Sequence, residues 1–114
     1  MASQPVVGPG RGAVVALSTA GSEEEGARIA RALIDQRLAA CVNLVPQLRS
    51  IYRWKGSVCD ENEWLLVIKT QRRLLTRLSR ALQQLHSYEV PELIAWPIQR
   101  GSRAYLAWLH DCLK

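Results

Sequence analysis

The sequence has no phenylalanine, one methionine and three cysteines among its 114 residues. Cys41, Cys59 and Cys112 are widely spaced and form no Cys-x-x-Cys pair, which argues against a structural zinc site or a dithiol redox motif. We therefore expect reduced thiols in a cytoplasmic protein. No apolar run approaches the roughly 18 residues of a membrane-spanning helix, so we expect no direct membrane span.

What remains is the composition of one globular domain. Hydrophobic residues make up 48% of the chain and charged residues 22%, which excludes a disordered or low-complexity protein. Residues 1–12 are rich in glycine and proline and lack the apolar segment of a signal peptide. We interpret residues 1–12 as a disordered leader and residues 13–114 as the single domain.

The hydrophobic pattern predicts the order β-α-β-β-α-β-α. Ser22 followed by Glu25 has the spacing of a capping box, which marks the start of the first helix. Alternation of apolar and polar residues indicates two long strands joined by a turn at residues 55–57. The predicted elements are a strand at 13–19, a helix ending near residue 38, strands at 41–55 and 58–70, a helix at 71–86, a strand at 93–98 and a terminal helix from residue 101 or 102.

A weak internal repeat predicts the fold class. Leu17-Ser18-Thr19 and Ile68-Lys69-Thr70 end equivalent strands, as expected for two duplicated βαβ units in a ferredoxin-like α+β sandwich with an extra C-terminal helix. Proline belongs on sheet edges, and the second and fourth strands contain Pro46 and Pro97. The predicted spatial order of the four strands is therefore 4-1-3-2.

The hairpin formed by the second and third strands is too long for a lone domain. A strand of about 15 residues is roughly 50 Å long, about twice the length of the first strand. Its overhanging part carries Tyr52 and Trp54, which a monomer could not cover. Because long exposed strand edges favour pairing with another chain, we expect an oligomer held together by this hairpin.

Five segments in a fixed order carry a family resemblance. They are RLAACVN at 37–43, SIYRWKG at 50–56, IKT at 68–70, HSYEVPE at 86–92 and YLAW at 105–108. The chain from about Ala13 onward resembles the CutA family of divalent-cation tolerance proteins. The resemblance implies a homotrimer of ferredoxin-like subunits akin to the PII signalling proteins. It also implies a link to copper and divalent-cation tolerance in bacteria and, in animals, to membrane anchoring of acetylcholinesterase, with no enzymatic reaction.

The same resemblance gives the positions of a copper site. Similar bacterial proteins ligate copper with a cysteine at the end of the first strand and with two adjacent histidines. The matching positions here are Ser18, Leu85 and His86, so one ligand of three is present. Because transition metals need three or four convergent donors, we expect at most weak Cu²⁺ binding at His86 and no required cofactor.

The candidate ligand site is the loop before the last strand. His86, Tyr88, Glu89 and Glu92 lie within seven residues and are suited to an ion or a small polar ligand, or else they cap the preceding helix and fix the loop. Lys69 is suited to an anion at the following helix N-terminus, or to an ion pair with a neighbouring subunit. In a trimer we expect these groups to meet Tyr52 or Trp54 of the next chain, as a small-molecule cleft or as a hydrogen-bonded interface.

Three functions stay open from the sequence. The first is a trimeric, non-enzymatic CutA-like binding or scaffold protein. The second is a PII-like sensor of small ligands, and the third is a hydrolase or transferase that uses His86 and Glu89. Nucleic-acid binding is not expected, because the third strand lacks the aromatic motif of RNA-binding ferredoxin-like domains. The sequence names no further protein partner.

Overall fold

The computed structural model describes residues 6–114. The elements are β1 (Val7–Pro9), β2 (Ala13–Ala20), α1 (Glu23–Asp35), β3 (Cys41–Trp54), β4 (Ser57–Gln71), a 3₁₀ turn (Arg72–Leu74), α2 (Leu75–Leu85), β5 (Ile94–Pro97), β6 (Arg100–Ser102) and α3 (Arg103–Cys112).

The main sheet has four antiparallel strands in the order β3-β4-β2-β5. This is the predicted order, and the prediction of a ferredoxin-like α+β fold is confirmed. Pro46 and Pro97 lie on the two edge strands, where a missing backbone N–H costs no hydrogen bond within the sheet.

The helices and one face of the sheet enclose the core. Ile29, Leu33, Leu78 and Leu82 on α1 and α2 are fully buried, as are Leu66 and Ile68 on β4. The predicted cap of α1 is present, since the Ser22 hydroxyl accepts a hydrogen bond from the Glu25 N–H at 3.1 Å. The helix ends at Asp35, three residues earlier than predicted. Arg37 adopts a positive φ of 55°, which ends the helical path there.

A β-bulge in β3 changes which side chains face the core. The register with β4 shifts between Val45 and Leu48, and Gln47 within the bulge has a φ of 63°. Val42 and Leu44 therefore pack against the core, whereas Tyr52 and Trp54 lie on the opposite, open face of the sheet. The sequence pattern gives Val42, Leu44, Tyr52 and Trp54 the same parity and hence one face of the strand. That prediction is wrong, because the extra bulge residue reverses the parity of everything after it.

The hairpin of β3 and β4 extends well beyond the other strands. The molecule measures 62 × 25 × 22 Å, and its radius of gyration of 15.8 Å exceeds the roughly 13 Å usual for a compact chain of this length. Beyond Ala20, which pairs with Trp64, β4 has no neighbour on the β2 side. The predicted overhang is therefore present.

The interpretation of residues 1–12 as a disordered leader is wrong for the part that the structure describes. Val7–Pro9 pair with Arg100–Ser102 in a separate two-stranded sheet, and the Gly10 N–H donates to the Gln99 carbonyl at 3.0 Å. The partner strand lies some 90 residues away, so no local pattern reveals this pairing. Residues 1–5 lie outside the described residues.

Within residues 6–114, no helix is both long enough and apolar enough to cross a membrane.

Candidate functional site

A cleft of about 500 Å³ opens on the uncovered face of the sheet, where the hairpin leaves the domain. Strands β2, β3 and β4 form its floor and one wall, and the loop between α2 and β5 forms the other wall. The lining residues are Thr19, Tyr52, Trp54, Cys59, Glu61, Glu63, Tyr88, Glu89, Val90 and Glu92.

A tyrosine–carboxylate pair lies in the buried part of this cleft. Glu63 is only 5% exposed, and its Oε2 accepts a hydrogen bond of 2.6 Å from the Tyr88 hydroxyl. Burial and this hydrogen bond to a carboxylate raise the pKa of Tyr88, because both favour the neutral phenol. Tyr88 therefore acts as a fixed donor, and it joins the loop to β4.

A second pair of the same kind lies further out on the hairpin. The Tyr52 hydroxyl donates to Glu61 Oε2 at 3.0 Å, and this bond raises the pKa of Tyr52 to about 12. At the rim, Lys55 Nζ lies 3.3 Å from Glu89 Oε2, with both side chains mostly exposed. Such a pair contributes little to stability because water screens it.

Glu92 is the fourth carboxylate of the cleft. Its pKa is raised by burial and by the nearby negative charge of Glu63. Both effects disfavour a second charged group in the same place. The cleft thus concentrates negative charge in a protein whose formal net charge is +5.

His86 lies behind the cleft wall rather than in it. Its Nδ1 accepts a hydrogen bond from the Tyr88 N–H at 3.0 Å, so the ring proton lies on Nε2, which is 2.6 Å from the Thr19 carbonyl oxygen and donates to it. Both ring nitrogens are engaged, and metal ligation would break one of these bonds. His86 therefore holds the loop against the end of β2.

Glu25 fixes the same loop from the other side. Its Oε2 accepts a hydrogen bond of 2.9 Å from the Ser87 N–H. Burial acts to raise the pKa of Glu25, but the bonds from Ser87 and the nearby His86 outweigh it and lower that pKa. The carboxylate that a capping box would direct to its own helix is thus directed to the loop.

The other predicted site residues lie elsewhere. Lys69 lies six residues along β4 from Glu63, roughly 20 Å away, where its ammonium group donates to the Asn43 side-chain oxygen. Within one subunit Lys69 does not meet the loop residues, and its place beside them in a trimer stays a prediction. Ser18 is fully buried on the helix side of β2 and its hydroxyl has no partner in the described chain. Leu85 packs against the core.

Among residues 6–114, no group of three or more histidine, cysteine, aspartate or glutamate side chains is placed to hold a metal ion. The three matching copper positions offer no set of free ligands: Ser18 is buried on the core side, Leu85 is apolar, and both ring nitrogens of His86 are hydrogen-bonded.

The sequence reasoning missed the β4 half of the cleft. Glu61 and Glu63 alternate with Asp60 and Asn62, so they share one face of the strand. That alternation was available as a signal, but the polar run of β4 predicts a solvated hairpin end equally well. Glu63 is buried and hydrogen-bonded to Tyr88, which is distant in sequence.

Together, these features define an α+β protein with a ferredoxin-like sheet, an overhanging hairpin and an acidic, aromatic cleft beside it. The model of the CutA1 divalent ion tolerance protein family matches residues 14–112, and the chain belongs to that family.

Individual relatives agree with this assignment. The chain is 50% identical over 97 residues to the divalent-cation tolerance protein CutA of Thermus thermophilus, which covers 85% of this chain and 94% of the relative. It is 44% identical to the mouse protein CutA, but it spans only 64% of that relative's length. The solved structure of the Thermus thermophilus protein superposes with a TM-score of 0.86 at 47% identity, over 90% of this chain and 99% of that one.

Proposed function

We propose that this chain is one subunit of a non-enzymatic homotrimer that serves divalent-cation tolerance by binding or scaffolding, with the acidic cleft as its binding site. The family membership supports the cation-tolerance role, since the Thermus thermophilus relative is named for it. The cleft supports binding, because it combines aromatic walls with a few convergent polar groups.

The uncovered, largely apolar face of the sheet is the observation that supports the proposed trimer most strongly. Val15, Leu17 and Val67 are only half-buried there, and Ile94 and Trp96 are exposed. Burying such a face is worth about 25 cal/mol for each Å² removed from water. Both edge strands, β3 and β5, also have free backbone groups that a neighbouring subunit can pair with.

Substitution of Trp54 tests this assembly. Trp54 is 40% exposed on the open face of the hairpin, and we expect a neighbouring subunit to bury it. Loss of a buried aromatic side chain costs about 3–5 kcal/mol, and a symmetric assembly repeats the loss at every interface. Trp54→Ala should therefore dissociate the oligomer on dilution, as measured by light scattering.

Ile34→Ala is the matched control for that experiment. Ile34 is also 40% exposed, but it lies on α1 and away from the open face. The control should keep the parental mass at every concentration. Dissociation of both variants to the same extent, or of neither, would contradict an interface at the hairpin.

We expect copper binding to be weak in this chain. Among the three positions that match copper ligands, His86 alone has a side chain suited to copper. Ligation there would break its hydrogen bond to the Thr19 carbonyl or the one from the Tyr88 N–H. Binding by this protein is therefore better supported at the cleft than at the positions that match copper ligands.

The PII-like sensor role is the second candidate, and the cleft favours it. A ligand in this place would contact both the hairpin and the loop between α2 and β5, so it would couple to subunit contacts made by the hairpin. A hydrolase using His86 and Glu89 is less well supported. His86 has no free ring nitrogen, and Glu89 is paired with Lys55 at the exposed rim.

A cytoplasmic location stays a prediction. One solved relative, from Archaeoglobus fulgidus, is described as periplasmic.

A further inference from the structure

Glu63 is a buried carboxylate without a counter-charge. It is the single buried acidic side chain in the part of the chain that the structure describes. Tyr88 provides its one side-chain hydrogen bond, to Oε2, and none of the four ion pairs found among residues 6–114 includes it. Burying a carboxylate is costly unless a cation or several donors compensate it. Glu63 lines the cleft, so a cation bound in the cleft would compensate its charge.

The rest of the cleft has the same excess of negative charge. Glu61, Glu89 and Glu92 lie in its walls, and no lysine or arginine belongs to the lining that the described residues provide. The chain as a whole is basic, with 15 lysines and arginines against 10 acidic residues. An acidic cleft in a basic protein attracts cations at one place and repels anions from it.

The rim shows which kind of cation the walls accept. Lys55 Nζ lies 5.6 Å from the centroid of the Trp54 ring and 3.3 Å from Glu89 Oε2. The chain's own alkylammonium group therefore lies between an aromatic ring and a carboxylate, which is a favourable cation–π arrangement. Further into the cleft, Tyr88 lies beside the buried Glu63, and Glu92 is near enough to Glu63 for their charges to interact. The described lining adds no lysine or arginine to this combination of ring and carboxylates.

We propose that this cleft binds a small organic cation, namely an alkylammonium or guanidinium compound with an apolar body. The charged end is bound by Glu63 and Glu92, and the apolar body packs against Tyr52 and Tyr88. Metal ions fit less well, because the carboxylates of the described residues form no metal-binding group and the walls are aromatic. The proposal names the ligand class of the cleft and thus rests on the proposed binding function.

Calorimetric titration of the full chain with 1,4-diaminobutane tests this. The uncharged 1,4-butanediol has the same carbon chain, and succinate has the opposite charge. We expect the diamine to bind at least ten-fold more tightly than the diol, with no binding of succinate. Added salt should weaken the binding of the diamine, because the attraction is electrostatic.

Two conservative variants locate the binding. Glu92→Gln removes one charge from the cleft at nearly constant shape and should lower the affinity for the diamine at least ten-fold. Glu24→Gln removes the same charge from the exposed start of α1 and should leave the affinity unchanged. Circular dichroism and light scattering on each variant show that fold and mass are retained.

The remaining outcomes would overturn the proposal. Equal binding of the diamine and the diol would make the cleft a merely apolar site. Tight Cu²⁺ binding that is lost in Glu92→Gln would make it a metal site. A trimer that binds no diamine would overturn the ligand proposal, with a basic side chain of a second copy filling the cleft instead. The proposed assembly would then remain intact. A monomer that binds the diamine would instead overturn the proposed assembly alone.

Discussion

At the scale of single residues, the cleft depends on hydrogen bonds to carboxylates. Tyr88 and Tyr52 make similar bonds to glutamates of β4, but the two pairs differ in burial. Glu63 is 5% exposed, whereas Glu61 belongs to the exposed class of side chains. Since an unsatisfied polar group is costly only where water cannot reach it, the two hydroxyl groups should contribute unequally.

Tyr88→Phe should lower the free energy of unfolding by about 1–3 kcal/mol, because it leaves the Glu63 carboxylate buried with no donor. Tyr52→Phe removes the same hydroxyl from an exposed pair and should lower the free energy of unfolding much less than Tyr88→Phe does. Chemical denaturation at pH 7 measures both values. Equal losses in the two variants would contradict the role assigned to the buried pair.

The Glu25 carboxylate predicts a pH dependence of stability. Its pKa in the folded protein is lowered below the ordinary value of 4.5, so its contribution is fully present above about pH 4.5 and is lost as the pH falls through the folded-state pKa. In Glu25→Gln that titration is absent. The melting temperature of the parent should exceed that of the variant at pH 7, and the difference should shrink in acid.

Glu24→Gln is the control for this pH series. Glu24 lies in the same first turn of α1 but is exposed. Its substitution should change the melting temperature little and should leave the acid dependence of the parent in place. A Glu25→Gln protein whose deficit stays constant down to pH 3 would refute the assignment.

At the scale of elements, the N-terminal strand is locked by a glycine. A Cβ on Gly10 would lie 1.7 Å from the Ile98 carbonyl oxygen, which belongs to rigid backbone. His110 Nε2 also approaches the Gly10 carbonyl at 3.2 Å, so the same residue joins β1 to α3. Sequence alone could not reveal this, because glycine is unremarkable in a segment that reads as a leader.

Gly10→Ala should destabilise the protein by about 1–3 kcal/mol, since backbone must move to admit the methyl group. Gly26→Ala should instead stabilise the protein. Its Cβ would lie 3.4 Å from a flexible Leu44 methyl group, and alanine exceeds glycine in helix propensity by about 1 kcal/mol. Thermal denaturation measures both. An unchanged Gly10→Ala protein would contradict the close approach.

The C-terminal end of α3 explains two of the many arginines. Arg37 donates to the Cys112 carbonyl at 3.0 Å, and Arg73 donates to the Leu113 carbonyl at 3.1 Å. Positive charge at a helix C-terminus complements the helix dipole. These arginines hold the last helix against the rest of the domain. Their presence is therefore explained by the fold and is not evidence for nucleic-acid binding.

At the scale of the whole molecule, the sequence predicts the fold more completely than it predicts the candidate site. Alternation, helical periodicity and the two edge prolines depend on neighbouring residues, and they predicted the order of strands correctly. The bulge at Gln47 and the pairing of Val7–Pro9 depend on contacts between distant segments, and local patterns missed both. The cleft was half-predicted: Tyr88, Glu89 and Glu92 came from the loop, but buried Glu63 came only from the structure.

The separation of Lys69 from the cleft also depends on contacts that a local sequence pattern does not show. Its position at the end of a strand suggested a helix N-terminus nearby, yet β4 continues to Gln71 and turns Lys69 onto the open face beside Asn43. A lysine on an otherwise apolar face is suited to meet an acidic group of another subunit. The exposed apolar face, the free strand edges and the overhanging hairpin likewise support the proposed contact with a second subunit.

The native mass of the unmodified chain tests this account most directly. Light scattering over a dilution series should give one species near three times the chain mass of 12.8 kDa, with no monomer at micromolar concentration. A stable monomer would leave the apolar sheet face and the hairpin exposed to water, and it would contradict the account.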